Sequence, residues 1–185
     1  MVALLAVPAV LVAAFIAIES HGSPLYVDRR VGRGGRSLGV LKFRSMVSDA
    51  NDVEKWLSNA QLEEWHREHK VSDDPRITRI GRLLRRTSLD ELPQFLNVLV
   101  GQMSVIGPRP ITEEELSWFG VDRDLLLSVR PGITGLWQVT ARNEATFESG
   151  ERQALELEYV RNIGFAMDLR VFLGTFGAIL GKTGR

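Results

Sequence analysis

The pattern of apolar and polar positions divides the chain into unlike stretches. Met1 to Ile18 is a nearly unbroken apolar run, with no charge before Glu19. As a straight helix it would reach about 27 Å, only just a span. Pro8, near its middle, predicts a kink or break, because an interior proline removes a helix hydrogen bond. A signal peptide, a transmembrane anchor and a re-entrant helix–break–helix all remain open for this run. It lacks the basic lead-in of a signal peptide, and the pattern alone favours an anchor. Ser23-Pro24 ends it. Leu25-Tyr26-Val27 and Leu38-Gly39-Val40-Leu41 predict short strands around the glycine-rich turn at Gly32–Arg36, a small β-hairpin. Asp49 to about Lys70 reads as an amphipathic helix, with Trp56 and Trp65 on the core or at the membrane interface, the core being favoured. Ser72-Asp73-Asp74-Pro75 reads as a turn.

Arg76, Arg79, Arg82 and Arg85 then recur every three residues, which predicts a helix with one basic stripe and a buried side of Ile77, Ile80, Leu83 and Leu84. The stripe runs into Ser88-Leu89-Asp90-Glu91-Leu92-Pro93-Gln94. Ser88 with Glu91 three residues on has the form of a capping box, which places Asp90 and Glu91 in the first turn of a new helix. There the helix dipole favours negative charge. Two acids here are either plain caps or a reactive pair. Gly107-Pro108-Arg109-Pro110 is stiffened by its prolines and holds a guanidinium in a fixed place. Ile111 to Leu127 predicts one or two acidic helices, and Arg130 to Val139 a loop and a short strand. Phe147 to Arg161 predicts a charged helix. Ile163 to Leu180 predicts an amphipathic helix of the kind that lies on a bilayer. No internal repeat, low-complexity tract or interdomain linker is present.

Composition narrows the chemistry. With 185 residues the chain can bury one ordinary core. Its 23 basic and 23 acidic residues cancel, so charge makes no general case for nucleic acid. It has no cysteine, which excludes disulfides, thiolate metal sites and cysteine nucleophiles. Its three histidines (His21, His66 and His69) are too scattered for a histidine metal site. Six basic residues and no acid lie between Arg29 and Arg44. They form a solvated loop or, just after the apolar run, a surface for anionic headgroups and lipid phosphate.

Several motifs occur in order: Lys42-Phe43-Arg44-Ser45-Met46, the stretch from Ser88 to Gln94, Gly101 to Pro110, and Arg130-Pro131-Gly132-Ile133-Thr134-Gly135-Leu136-Trp137-Gln138-Val139. Together they closely resemble the bacterial sugar transferases, the monotopic phosphoglycosyl transferases, from about Pro8 to about Leu173. The resemblance implies that Asp90 attacks the sugar-bearing phosphate of a nucleoside diphosphate sugar, with uridine the expected base. Nucleoside monophosphate leaves, and polyprenyl phosphate then takes the phosphosugar from Asp90. Glu91 is the candidate ligand of Mg²⁺, which suits hard oxygen donors. Lys42, Arg85 and Arg109 are the candidate phosphate-binding residues. Trp137 and Gln138 face a nucleotide base or close the core. The family's Gly-Arg pair is Ala141-Arg142 here, and its acid in the last helix is Asp168, which either pairs with Arg170 or faces the site. The resemblance also favours the re-entrant form of the first segment, although the family's Ser-Pro break is Val7-Pro8 here. With seven residues before the proline, the first half of that hairpin reads as truncated.

The expected fold is α+β and mostly helical: a compact membrane-associated domain with a re-entrant N-terminal helix over 1–22, a small hairpin and interfacial helices. The catalytic part, 23–185, would face the cytoplasm at a bacterial inner membrane. Partners are the sugar nucleotide, polyprenyl phosphate and the bilayer, with no nucleic acid; the sequence leaves the oligomeric state open. Three competing functions differ in their products or in their need for Asp90. A sugar-only glycosyltransferase would release nucleoside diphosphate. A phosphatase would need no lipid. A non-catalytic membrane-surface scaffold would not need Asp90.

Overall fold

The opening apolar run forms one helix, α1 (Val2–Glu19), in the computed structural model, which describes residues 2–68, 71–141 and 149–180. His69, Arg142 and Phe147 lie outside the described residues. The break expected at Pro8 is absent: the proline sits inside a continuous helix. A proline removes one hydrogen bond, and the turns on either side retain theirs. Among the described residues, no helix is long and apolar enough to cross a membrane.

The chain forms two units. The first takes the residues up to Tyr26 together with Phe43–Asp90. The single helix expected over Asp49–Lys70 is divided into α2 (Val53–Trp56) and α3 (Asn59–Glu68). Leu57 turns extended between them and is buried there. Trp56 and Trp65 are half-buried. Helix α4 (Arg79–Thr87) is capped twice at its start. The Thr78 hydroxyl accepts the Gly81 N–H at 2.9 Å. The carboxylate of Glu19, the last residue of α1, accepts the N–H groups of Arg79 at 2.9 Å and Ile80 at 3.0 Å. Both caps satisfy donors that a helix start leaves open. The basic stripe is shorter than the sequence spacing predicts. Arg76 precedes the helix and is buried in a forked pair with Asp74, at 2.8 Å and 2.6 Å. Arg79, Arg82 and Arg86 are exposed, while Arg85 is half-buried. Helix α4 packs its Gly81 against the backbone of Ser45; a Cβ there would stand 1.9 Å from the Ser45 carbonyl oxygen.

The second unit takes Val27–Lys42 and the chain from Glu91 onward. The predicted antiparallel hairpin is present as β1 (Leu25–Val31) and β2 (Ser37–Phe43), longer than expected at both strands. Helix α5 (Gln94–Leu99) supports it through Asn97, a buried side chain. Asn97 Oδ1 accepts the Leu41 N–H at 3.0 Å and Nδ2 donates to the Gly39 carbonyl at 2.8 Å. Strands β3 (Ser104–Ile106) and β4 (Gly132–Thr134) pair in parallel, with Ser104 opposite Gly132 and Ile106 opposite Thr134. Between them lie α6 (Glu113–Ser117), closed by a capping box from Thr112 to Glu115, and α7 (Arg123–Leu127). After β4 the chain turns into helix α8 (Leu136–Thr140) instead of extending the strand. Helices α9 (Glu151–Arg161) and α10 (Phe165–Leu180) complete the unit. Its core joins Val31, Ile111, Leu116, Leu136, Tyr159 and Val171. The charged helix α9 also buries Arg152 and Glu156. Burial pushes the Glu156 carboxyl up to about 7, against the opposing charge of Arg152.

Two predictions follow from this packing. Gly81→Ala must displace the Ser45 backbone and should destabilise the protein by about 3 kcal/mol. Gly177→Ala, at an exposed helical position with open space around it, should be neutral or stabilising by up to about 1 kcal/mol; denaturant unfolding compares them. The second concerns pH. The Glu156 pKa is raised on folding, from 4.5 to about 7, so the native state binds the proton more tightly. Its stabilising contribution is complete below about pH 4.5 and is lost as pH rises through about 7. Thermal unfolding across that window should show a decline in wild type that Glu156→Gln removes.

Candidate active site

The turn that carries the two acids is built differently from the capping box the sequence suggests. Ser88 closes α4 in the left-handed conformation (φ 55°), and its N–H returns to the carbonyls of Leu84 and Arg85. A residue in that conformation cannot act as an extended N-cap. Leu89–Glu91 form one 3-10 turn, and α5 begins only after Pro93. Asp90 and Glu91 therefore lie in a tight turn between two helices, outside the first turn of either.

In the first unit, Asp90 is half-buried, and its charge acts on Arg85. The Arg85 Nε–H donates to the Ser45 hydroxyl at 2.9 Å. Burial pulls the Arg85 guanidinium below its ordinary value, and the carboxylates of Asp90 and Asp74 partly restore it. The pairing leaves Arg85 fixed in direction beside a carboxylate.

In the second unit, Lys42, Glu91, Arg109 and Gln138 line one cleft, together with Asp28 and Arg30. Four of the predicted site residues thus meet. Lys42 comes from the end of β2. Arg109 follows β3, in a segment pressed against β4 by glycines. A Cβ on Gly132 would meet the Gly107 nitrogen at 2.2 Å. The Gly107 N–H donates to the Thr134 carbonyl at 2.9 Å, and the Gly132 N–H to the Pro108 carbonyl at 2.8 Å. Gln138 lies on α8, where its Nε2 donates to the Ile133 carbonyl at 3.1 Å. Its Oε1 is buried without a hydrogen-bond partner among the described residues.

Asp28 organises the cations of this cleft. Its Oδ2 lies 3.1 Å from Lys42 Nζ and 2.9 Å from Arg30 Nη2. Burial alone would raise its pKa; Lys42 and Arg30 outweigh that and hold it below the ordinary carboxylate range. Arg30 continues to Glu115 at 3.1 Å, and Glu115 lies 3.6 Å from Arg152. Sequence reading missed Asp28 and Arg30. Their half-buried places in β1, two residues apart on one face, are the signal that was available.

Among the described residues, no group of three or more acids or histidines is arranged to hold a metal. The side-chain oxygen donors of the cleft include the Glu91 carboxylate, the amides of Gln94 and Gln138, of which Gln138 Oε1 is orphaned, and Asp28, which is occupied by two cations. Such a small set of hard oxygens fits Mg²⁺, which keeps most of its water ligands. Asp168 is placed elsewhere: its Oδ1 accepts the Tyr159 O–H at 2.9 Å. Burial and then Asp168 push the Tyr159 phenol up. Trp137 is buried and closes the core, under the guanidinium of Arg109 at 5.5 Å and that of Arg152 at 4.3 Å from its ring centre. Arg142 lies outside the described residues.

Comparison with known proteins agrees with the ordered motifs. The sequence profile of the family described as Bacterial sugar transferase matches residues 1–182. A UDP-galactose-lipid carrier transferase of Erwinia amylovora is 42% identical over 97% of this chain and 38% of its own length. The exopolysaccharide production protein ExoY of Sinorhizobium fredii is 41% identical over 91% of this chain and 75% of its own. An undecaprenyl-phosphate galactose phosphotransferase of Salmonella typhimurium is 39% identical over 100% of this chain and 39% of its own. The chain thus spans about two-fifths of the Erwinia and Salmonella relatives and three-quarters of ExoY. On this match, the chain belongs to the bacterial sugar transferase family.

Proposed function

We propose that this chain transfers a sugar phosphate from a nucleoside diphosphate sugar, with uridine as the base, to a polyprenyl phosphate. The cleft that gathers Lys42, Arg109, Glu91 and Gln138 supports this reading most directly, because its charges suit a diphosphate. The names of the relatives, which include undecaprenyl-phosphate sugar phosphotransferases, support the same class of reaction.

In this mechanism a carboxylate oxygen of Asp90 attacks the phosphorus that bears the sugar. The new bond joins Asp90 to that phosphorus. The phosphoanhydride bond breaks, and its electron pair leaves on nucleoside monophosphate. A phosphate oxygen of the polyprenyl phosphate then attacks the same phosphorus. The bond to Asp90 breaks, and the carboxylate is restored. Attack by an anion on a diphosphate meets repulsion, which Lys42 and Arg109 reduce, Arg109 by two-pronged hydrogen bonding and Lys42 as a point charge. Arg85 steadies the charge of Asp90 and balances the phosphosugar once it is attached. Glu91, with Gln138, would hold Mg²⁺, which supplies charge neutralisation on phosphate oxygens.

The acceptor sets the location. A long isoprenoid tail leaves a bilayer only at great cost, at about 0.8 kcal/mol per CH₂. The apolar residues of α1, including Val10, Leu11, Phe15 and Ile18, are exposed, as are Phe165, Leu169, Phe172, Leu173 and Phe176 on one side of α10. We read both as bilayer contacts: α1 as an unbroken apolar helix entering the bilayer and α10 as an interfacial helix. The site then faces the cytoplasm at the bacterial inner membrane, in the first membrane step of polysaccharide assembly.

The test is release of nucleoside monophosphate from a panel of UDP-sugars in detergent with Mg²⁺, with and without polyprenyl phosphate. Sustained UMP release, beyond one equivalent per enzyme, should depend on the lipid, and all release should stop with a chelator. Asp90→Asn should lower it by at least about a thousandfold, as loss of a nucleophile does. Arg109→Ala should raise the donor KM about tenfold or more. UDP in place of UMP would move the assignment to a sugar-only glycosyltransferase, and full activity in Asp90→Asn would remove the covalent step.

A further inference from the structure

The segment that carries Arg109 has an unusual shortage of donors. In Pro108-Arg109-Pro110 both prolines lack an N–H, so the one backbone donor is that of Arg109. That N–H points at the buried carboxylate of Glu156, with both oxygens at 3.2 Å. Glu156 is 1% exposed and reaches the segment from α9, across 47 residues of sequence. The other end of Arg109 is also held. Its guanidinium lies over the ring of Trp137, which the guanidinium of Arg152 also approaches. Two cations on one indole repel each other, and the Arg109 charge lowers the Arg152 pKa after burial itself. Both Glu115 and Glu156 offset that repulsion, and the pKa of Arg152 falls only to about 9, so it stays charged at neutral pH.

We infer that Glu156 is a positioning residue for Arg109: it anchors the lone backbone donor of the Pro-Arg-Pro segment and balances Arg152, so that the Arg109 guanidinium is held over Trp137 toward an anionic diphosphate in the cleft. This rests on the reading of the cleft as a diphosphate site. Glu156 takes no part in bond making. It acts through Arg109, and its removal also takes away one of the two acids, Glu115 and Glu156, that offset the charge of Arg152 beside the Trp137 ring. Loss of its oxygens leaves a buried N–H without an acceptor, which is the costlier half of a broken hydrogen bond. The role was invisible in the sequence because Arg152 and Glu156 sit four apart on a helix, the spacing of an ordinary surface ion pair.

Calorimetric titration of the full chain in detergent with inorganic pyrophosphate tests this without requiring turnover. Four proteins are compared: wild type, Glu156→Gln, Arg109→Ala and the double variant. Glu156→Gln should weaken pyrophosphate binding about tenfold. Arg109→Ala should weaken it at least as much, and the double variant should be no weaker than Arg109→Ala alone. A purely structural role for Glu156 would not give that non-additivity. If Glu156→Gln does not fold, Glu156→Asp keeps the charge but draws it back by one methylene, and should show a severalfold loss with the same dependence on Arg109. Unchanged affinity in the variant that folds, additive losses, or no pyrophosphate binding by wild type would each overturn the inference. Failure of the transferase reading has a different signature: pyrophosphate binds with the coupled pattern, yet no UDP-sugar releases UMP.

Discussion

The contact between Gly107 and Gly132 is the constraint on which the second unit depends. Two backbones twenty-five residues apart in sequence come so close that neither position has room for a Cβ. Their approach allows the parallel pairing of β3 with β4, and it presses the Pro-Arg-Pro segment against the turn into α8. Arg109 and Gln138 enter the same cleft for that reason. Hydrogen bonds between the two segments run directly from backbone to backbone, so the geometry of the cleft does not rely on flexible side chains. A third glycine, Gly135, faces the Gly107 carbonyl in the same way. The glycines in both motifs are therefore read best as steric permissions for one tight junction.

Charge at the cleft and behind it is arranged as an alternating series. Lys42, Asp28, Arg30, Glu115 and Arg152 follow one another at distances from 2.9 to 3.6 Å. Each cation has an acid for a neighbour, which lowers the cost of desolvating it. Such a series keeps basic groups half-buried and ordered before any ligand arrives. Less conformational entropy is then lost when a phosphate binds. In the first unit Arg85 is prepared in a comparable way by Ser45, Asp74 and Asp90.

Much of this was legible in the sequence, for identifiable reasons. The hairpin was readable because a glycine-rich turn separates two apolar strands, and α9 and α10 because their patterns are long. Lys42, Glu91, Arg109 and Gln138 were found through ordered motifs, and the fold does bring those four together. The errors came where one pattern serves two geometries. Ser-x-x-Glu fits both a helix start and, as here, a left-handed helix end. Arg76 continues the three-residue spacing of the stripe but belongs to a buried pair with Asp74. The β3–β4 pair is three residues long on each side, too short for alternation to reveal. Asp28 and Glu156 were missed because a charged residue at a buried position looks, in sequence, like one on a surface. Only the cations that they meet in three dimensions distinguish them.

Asn97 has a consequence for how the protein behaves among other chains. Its amide occupies one donor and one acceptor on the outer margin of β2, the groups that a further strand would use. A hairpin with an open margin is a template for pairing with a neighbouring molecule. Here a side chain from α5 occupies one such pair, the Leu41 N–H and the Gly39 carbonyl, and so removes them from pairing with a neighbouring strand.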